Sequence, residues 1–315
     1  MDLSIIIPLY NEDESLPELC SWIESVVTKE QLSFEVIMVD DGSTDNSWNV
    51  IESIAAKNSC FKGIRFRRNY GKSAALNEGF KAAKGLTVIT MDADMQDSPD
   101  EIPGLRNMII TEGYDMVSGW KKVRYDNTFT KNIPSKLYNA VARKASGIQL
   151  NDFNCGLKAY KIDVVKCIEV YGEMHRYIPI LAKWSGFRKI GEKIVAHRAR
   201  KYGVTKFGMK RFVNGFLDLA TIMFLGKFGK KPMQLFGLWG SVFFLIGLGS
   251  SIYLIIGKLM VADFSLTNKP AFFIALTTMI IGVQLFLAGF VAELVSRNAP
   301  ERNNYLIHKK LGLED

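Results

Sequence analysis

In the stretch VITMDADMQDSPDE (residues 88–101), a run of β-forming residues stops at Asp92, Asp94 and Asp97, with Gln96 among them. Carboxylates held this close repel one another unless a cation, a proton or a hydrogen-bond donor stands between them. Two kinds of chemistry fit: a hard divalent cation bridging to a diphosphate, or the start of a helix. Mg²⁺ and Mn²⁺ prefer oxygen ligands and usually keep waters and substrate phosphates in their shell. A helix start accounts for one acidic residue per helix. Asp97 or Ser98 would serve after Pro99, and Asp45 or Ser43 before a helix near Asn46. Asp41, Asp92 and Asp94 are too many for capping and are assigned to ligand chemistry.

The elements that must position these residues are short apolar runs at Leu3–Pro8, Phe34–Val39, Phe61–Phe66 and Leu86–Met91. Between them, Leu16, Leu19, Ile23, Val26 and Val27, and then Trp48, Ile51, Ile54 and Ala55, recur at helical steps. Strands alternating with helices imply an α/β fold with a parallel sheet covered on both faces. Ligands in such sheets bind beyond the carboxyl ends of the strands. Each run is followed there by a polar cluster: YNEDE, DDGSTD, RRNYGKS and DADMQD. Four in succession describe a site. Lys72 in NYGKS does not make a P-loop, because that motif needs glycine where this chain has Phe66.

The chain has 315 residues and a formal net charge of +8. Its hydrophobic residues are concentrated late. Met233–Gly257 and Ala271–Ala292 carry no charge, and each is long enough as a helix to cross a hydrocarbon core of roughly 30 Å. Lys227, Lys230 and Lys231 precede the first, and Arg297, Arg302, Lys309 and Lys310 follow the second. The positive flanks orient both termini toward the cytoplasm, and the basic excess suits anionic lipid head groups. Nothing at the N-terminus resembles a signal segment. Cys20, Cys60, Cys155 and Cys167 show no CxxC spacing, so reduced thiols are expected, and His175, His197 and His308 form no metal pattern.

Further along, Asp115–Trp120 and Arg188–Ala196 read as strands, Ile133–Ser146 as an amphipathic helix and Lys121–Lys131 as a mobile loop. Phe207–Phe228 carries Phe212, Phe216, Leu219 and Met223 on one stripe and reads as an interfacial helix, or as one packed on the soluble domain. His175 and Arg176 are expected to brace a helix, and Trp184 and Tyr177 to sit in the core. The expected organisation is a cytoplasmic domain (1–204), a juxtamembrane amphipathic segment (205–231), two membrane helices (232–295) and a cytoplasmic tail (296–315).

The motifs IIIPLYNEDESL, VDDGSTD, RNYGKSAALNEGF and MDADMQDSPDEI, followed by NDFNCGLKAY, EMHRYIP and HRARKYGVTKFG, resemble the inverting family 2 of A-type (GT-A) glycosyltransferases. The nearer likeness is to its polyprenyl-phosphate branch, the dolichol-phosphate mannose synthase-like and bactoprenol glucosyl transferase-like enzymes. The likeness implies a Rossmann-like nucleotide-diphospho-sugar transferase fold, Mg²⁺ or Mn²⁺, a nucleotide-diphosphate sugar donor and a polyprenyl phosphate acceptor. It also implies that Pro8, Tyr10, Glu12, Val39 and Asp41 hold base and ribose. Asp92, Ala93 and Asp94 would hold nucleotide and metal, with Asp94 the more direct ligand, Gln96 near the sugar and Lys72 on the donor side. Arg200 and Lys206 match a basic pair that grips phosphate. Asp152 matches an acidic residue near the reacting centre, as a base or as a positioning group. Gly156-Leu157-Lys158 stands where many relatives have Phe-Arg-Leu, and lysine offers a point charge in place of a planar fork.

Attack at an anomeric carbon builds positive character on the sugar and negative charge on the departing diphosphate. A cation with Arg200 and Lys206 would stabilise that leaving group most in the transition state. A processive polysaccharide synthase is the nearest rival, but the chain has no Gln-x-x-Arg-Trp sequence and two spans form no obvious channel. A scaffold would not need the acidic cluster, and a flippase component would be expected to carry charge inside its spans. Membrane lipids are expected partners and nucleic acid is not. Gln234, Gln284 and the small residues of the first span suit a homo-oligomer.

Overall fold

The computed structural model describes residues 1–122, 146–198, 231–260 and 269–298, with single residues between 139 and 143 and between 221 and 228. The chain divides into two compact units, Met1–Ala220 and Thr221–Asp315. The helix expected at Ile133–Ser146 falls largely outside the described residues. So do most of the loop expected at Lys121–Lys131, nearly all of the segment Phe207–Phe228 and the C-terminal tail.

The first unit is built on a seven-stranded sheet of order β3-β2-β1-β4-β6-β5-β7. β1 (Leu3–Leu9), β2 (Phe34–Asp40), β3 (Phe61–Arg65) and β4 (Thr87–Thr90) run parallel, in the four places where the apolar runs stand. All seven residues of β1 are buried, as expected of a central strand packed on both faces. β5 (Met116–Trp120) and β7 (Ile190–Ile194) form where strands are expected at Asp115–Trp120 and Arg188–Ala196, and they pair parallel.

The all-parallel expectation is corrected by β6 (Lys158–Lys161), which pairs antiparallel with both β4 and β5. Its sequence, KAYK, gives no apolar run, yet three of its four residues are buried. The sheet is therefore mixed. Because β6 runs backwards, its entry loop arrives at the carboxyl end of β4, beside DADMQD: Lys158 pairs in register with Thr90.

Helices cover the sheet as their periodicity requires. α1 (Leu16–Lys29) buries Leu16, Leu19, Cys20, Ile23 and Val27, the i, i+3, i+4, i+7 stripe of a core-facing helix, and carries Pro17 in its first turn. α2 (Ser47–Lys57), α3 (Lys72–Ala82) and α4 (Ile102–Ile110) follow β2, β3 and the β4 loop. Short helices α5 (Ile162–Cys167) and α6 (Ile178–Trp184) complete the described part of the unit, with a 3₁₀ turn at Met174–Arg176. Tyr177 is fully buried as expected, whereas Trp184, expected in the core, is 41% exposed at the end of α6. It occupies the last turn of a seven-residue helix, where the chain leaves the core.

In the second unit α7 (Met233–Met260) and α8 (Pro270–Asn298) are both long and apolar enough to span a membrane. They pack backbone against backbone through glycine. A Cβ on Gly240 would lie 2.7 Å from the Gly282 carbonyl oxygen, and one on Gly282 would lie 2.5 Å from the Phe244 nitrogen. Such close approach is how apolar helices gain contact where lipid is as apolar as they are.

Candidate active site

The loops after β1 and β2 are tied to each other by side chain-to-backbone bonds. Asn11, at φ 57°, donates its N–H to Ser43 Oγ (2.9 Å), and its Oδ1 accepts the Thr44 N–H (2.9 Å). The Glu12 N–H donates to Ser47 Oγ at 2.9 Å. Asp45 acts at the start of α2 as expected, accepting the Ser47 N–H at 3.0 Å. Ser43 does not cap; it is consumed by Asn11.

Asp41, 4% exposed, accepts the backbone N–H groups of Tyr70 (2.7 Å) and Gly71 (2.9 Å). Burial raises its pKa, and the charge of Asp40 adds to that, against the two amide donors. Gly71 precedes α3 at φ 95°, a conformation that a side chain would strain. One turn of chain therefore starts α3, aims two amides at Asp41 and delivers Lys72 to the next strand end.

Lys72 reaches the end of β4, where its ammonium pairs with the Asp92 carboxylate. Burial favours the neutral acid, yet Lys72, with Lys121 and Lys158 beyond it, holds the Asp92 carboxyl below the ordinary aspartate value. Gly156 makes room for this arrangement: a Cβ there would stand 2.4 Å from Asp92 Oδ2. Asp94 is 8% exposed and accepts the Gln96 N–H at 3.2 Å, with Met95 between them at φ 61°. Such a backbone conformation in a non-glycine residue is uncommon and is concentrated at functional loops.

Asp97 is not the helix cap that its position suggests. It is fully buried, pairs with Lys121 at 2.6 Å and forms an isolated β-bridge with His197. Ser98 precedes the turn Pro99–Glu101 but gives its hydroxyl to Asp100 (3.1 Å). Lys121, read from the sequence as the start of a mobile loop, is half-buried against Asp97. Burial opposes its charge, but Asp97 beside it carries the ammonium well above the usual lysine range.

Asp152 is 1% exposed, and its Oδ1 accepts the Asn154 N–H at 3.0 Å. Its own N–H and that of Asn151 donate to Glu192 Oε1 (3.0 and 2.8 Å), which fastens the segment to β7. Four residues beyond that turn, Lys158 is 3% exposed. Burial pulls its pKa down, as does Lys72, while Asp152 and Asp92 act on it in the opposite sense. The Lys158 ammonium itself donates to the Cys155 carbonyl. Lys72, Thr90, Asn154, Gly156, Lys158 and His175 line a small cleft. His175 braces α3 as expected: its Nδ1 lies 3.0 Å from Ser73 Oγ, which also accepts the His175 N–H.

Of the other expected residues, Pro8 and Val39 are register partners inside the sheet, both buried. Ala93 is buried, and Tyr10, Glu12 and Gln96 are half-buried at the strand ends. Arg200 and Lys206 lie outside the described residues. The sequence reading placed Lys121 in a loop without its Asp97 partner, and it noted Lys158 only as a departure from a pattern. Burial pushes the thiols of Cys20 and Cys155 up to about 12, which excludes both as nucleophiles near neutral pH.

The donor set at the β4 end fits a hard cation. Asp92 and Asp94 offer only carboxylate oxygens, and no group of three His, Cys, Asp or Glu stands together among the described residues. That pattern suits an ion completed by substrate phosphates and water. With Lys72 already on Asp92, Asp94 is the carboxylate better placed to take it.

The Glycosyl transferase family 2 profile matches residues 4–169. The chain is 37% identical to undecaprenyl-phosphate 4-deoxy-4-formamido-L-arabinose transferase of Aeromonas hydrophila subsp. hydrophila, over 98% of this chain and 93% of that protein. It is 32% identical to dodecaprenyl-phosphate galacturonate synthase of Rhizobium johnstonii, over 94% of this chain and 88% of that one. Among solved structures, mannosyl-3-phosphoglycerate synthase from Rubrobacter xylanophilus superposes with a TM-score of 0.57 at 13% identity, covering 71% of this chain and 74% of its own. Glucosyl-3-phosphoglycerate synthase from Mycobacterium tuberculosis, solved with Mn²⁺, UDP and phosphoglyceric acid, gives 0.52 at 18% identity, covering 71% and 78%. The mixed sheet is thus that of a GT-A nucleotide-sugar transferase, and the chain belongs to glycosyl transferase family 2.

Proposed function

We propose that the chain transfers one sugar, with inversion, from a nucleotide-diphosphate sugar to polyprenyl phosphate at the cytoplasmic face of a membrane. The observation that carries this reading is the union in one chain of an acidic carboxyl edge and two span-length apolar helices. The alignment with relatives named for polyprenyl-phosphate substrates runs through both parts. The basic flanks of the two helices support an orientation with the transferase domain and both termini inside.

Asp41, fixed by the Tyr70 and Gly71 amides, receives the base and ribose beside Tyr10 and Glu12. Asp94, with Asp92 near it, would hold Mg²⁺ or Mn²⁺, which supplies positive charge to the departing diphosphate. Lys72 neutralises Asp92 until an anionic donor arrives and then has a diphosphate to pair with. The acceptor phosphate is already anionic near neutral pH, so Asp152 orients acceptor or sugar more than it removes a proton. Lys158, buried beside this edge, lies within the electrostatic reach of both Asp152 and Asp92. Arg200 and Lys206 grip phosphate.

The test is transfer of labelled sugar into the organic phase by the purified full-length chain, with and without polyprenyl phosphate and with EDTA. Label should enter lipid only with the acceptor present, stop with EDTA and return with Mg²⁺ or Mn²⁺. Undiminished transfer by metal-free enzyme would remove the cation from the reading; absence of lipid-linked label from every nucleotide sugar would remove the acceptor.

A further inference from the structure

Gln284 stands at the midpoint of α8, fourteen residues from either end of Pro270–Asn298. Its side chain is exposed, and its amide has no hydrogen-bond partner among the described residues. Gly282, two positions earlier, is where α8 meets α7 most closely, with a Cβ there only 2.5 Å from the Phe244 nitrogen. At about 100° per residue, Gln284 points roughly 200° away from that contact. The partner helix of the hairpin is on the wrong side to satisfy it. Thr277, Ile281 and Ala288 are also exposed and share the face of Gln284 at helical steps.

We propose that this face of α8 is where two copies of the chain associate, with their Gln284 amides hydrogen-bonded to each other near the bilayer midplane. An amide left unpaired in hydrocarbon is costly, and lipid tails offer neither donor nor acceptor. A carboxamide carries both, so across a two-fold axis it is its own complement. A partner of another sequence would need its own polar group at that depth; a second copy brings one by symmetry. Ala288 and Thr277 are small enough to let the helices approach on either side of the pair. The proposal rests on the reading of α7 and α8 as membrane spans and is independent of the transfer reaction.

The test is oxidative crosslinking of the full-length chain in membranes, with the unaltered chain as baseline for the native thiols. Ala288→Cys, one turn from Gln284 on the same face, should give a disulfide-linked species of twice the chain mass. Phe290→Cys, exposed on α8 but about 240° round the helix from Gln284, should not rise above baseline. Adding Gln284→Leu to Ala288→Cys should weaken association about 3- to 30-fold, the range for hydrogen bonds between membrane helices. Gln284→Asn, which keeps the amide, should retain most of it. Equal crosslinking from both cysteine positions, no response to Gln284→Leu, or a product whose mass includes a different protein would each overturn the proposal. Alkaline extraction of the same membranes separates the two readings: a chain that stays in the pellet without the crosslink refutes the dimer and keeps the spans. Release into the supernatant removes both.

Discussion

The two edges of the sheet bury acidic side chains differently. At the amino edge, Glu35 is 1% exposed and is enclosed by the chain's own donors. Its Oε1 takes Ser4 Oγ (2.6 Å) and the Lys84 N–H (2.9 Å), and its Oε2 takes Lys62 Nζ (2.6 Å). At the carboxyl edge, Asp41 is held by two backbone amides, while Asp92 is held by a lysine side chain at the wall of a small cleft. Amides fixed by a turn cannot leave. An ammonium on a four-carbon stem can exchange one anion for another. Glu35 is closed off on both oxygens by the chain's own donors, whereas Asp92 has a partner that can move toward a ligand.

The comparison breaks first at the carboxyl edge, where the largest effects are expected. Asp94→Asn should abolish most transfer while the chain keeps its melting temperature; an active variant would move the cation elsewhere. Asp152→Asn separates a turn residue from a working one, since Asn accepts the Asn154 N–H as well as Asp does. At the reacting centre, kcat should fall by about 10²-fold, a magnitude typical of general acid–base groups, with nucleotide-sugar affinity kept. Near-normal kcat would confine Asp152 to its turn; lost affinity with kcat unchanged would assign it to the donor.

Gly156→Ala probes the wall behind Asp92. Its Cβ would stand 2.4 Å from Asp92 Oδ2, so the carboxylate must shift from Lys72. Transfer should drop about tenfold, the scale of a misplaced group near the reacting atoms, and stability by about 1–3 kcal/mol. An unchanged rate with the same stability loss would show that the position of Asp92 is immaterial.

At the amino edge the expected effect is on stability alone. Glu35→Gln should lower unfolding stability by about 1–3 kcal/mol at pH 7, the scale for disrupting a charged, buried hydrogen-bond set, without altering transfer. Burial works against the Glu35 charge, but the Lys62, Ser4 and Lys84 donors outweigh it and set its pKa below the ordinary 4.5. A lowered carboxyl pKa contributes stability in full above the unfolded value and loses it as pH falls through the folded one. The gap between wild type and Glu35→Gln should therefore narrow below about pH 4.5, the ordinary glutamate value. A gap that widens in acid would reverse the assignment.

What was legible in the sequence follows the same physical division. β1, β2 and β4 announce themselves because a strand buried on both faces is nearly continuously apolar, and the helical stripe of α1 follows from one-sided burial. β6 does not. KAYK spends half its length on lysines whose places are set by Cys155, Asp92 and Asp115, partners that no local pattern reveals. Lys121 was read as a loop residue for the same reason, since its burial is compensated by Asp97 from another segment. The sequence also marked Asp41 as functional without showing what holds it. Its donors come from Tyr70 and Gly71, almost thirty residues on, and only the parallel packing of β2 beside β3 brings that turn alongside.

The mass and anomeric configuration of the product address the central claim most directly. Purified full-length chain would be given polyprenyl phosphate and a panel of labelled nucleotide-diphosphate sugars. The account predicts a lipid phosphate that gains a single sugar, linked with configuration opposite to that in the donor, and one nucleoside diphosphate released for each sugar moved. A ladder of lipids carrying two or more sugars, a linkage with retained configuration, or hydrolysis of the donor with no label in the lipid would contradict it.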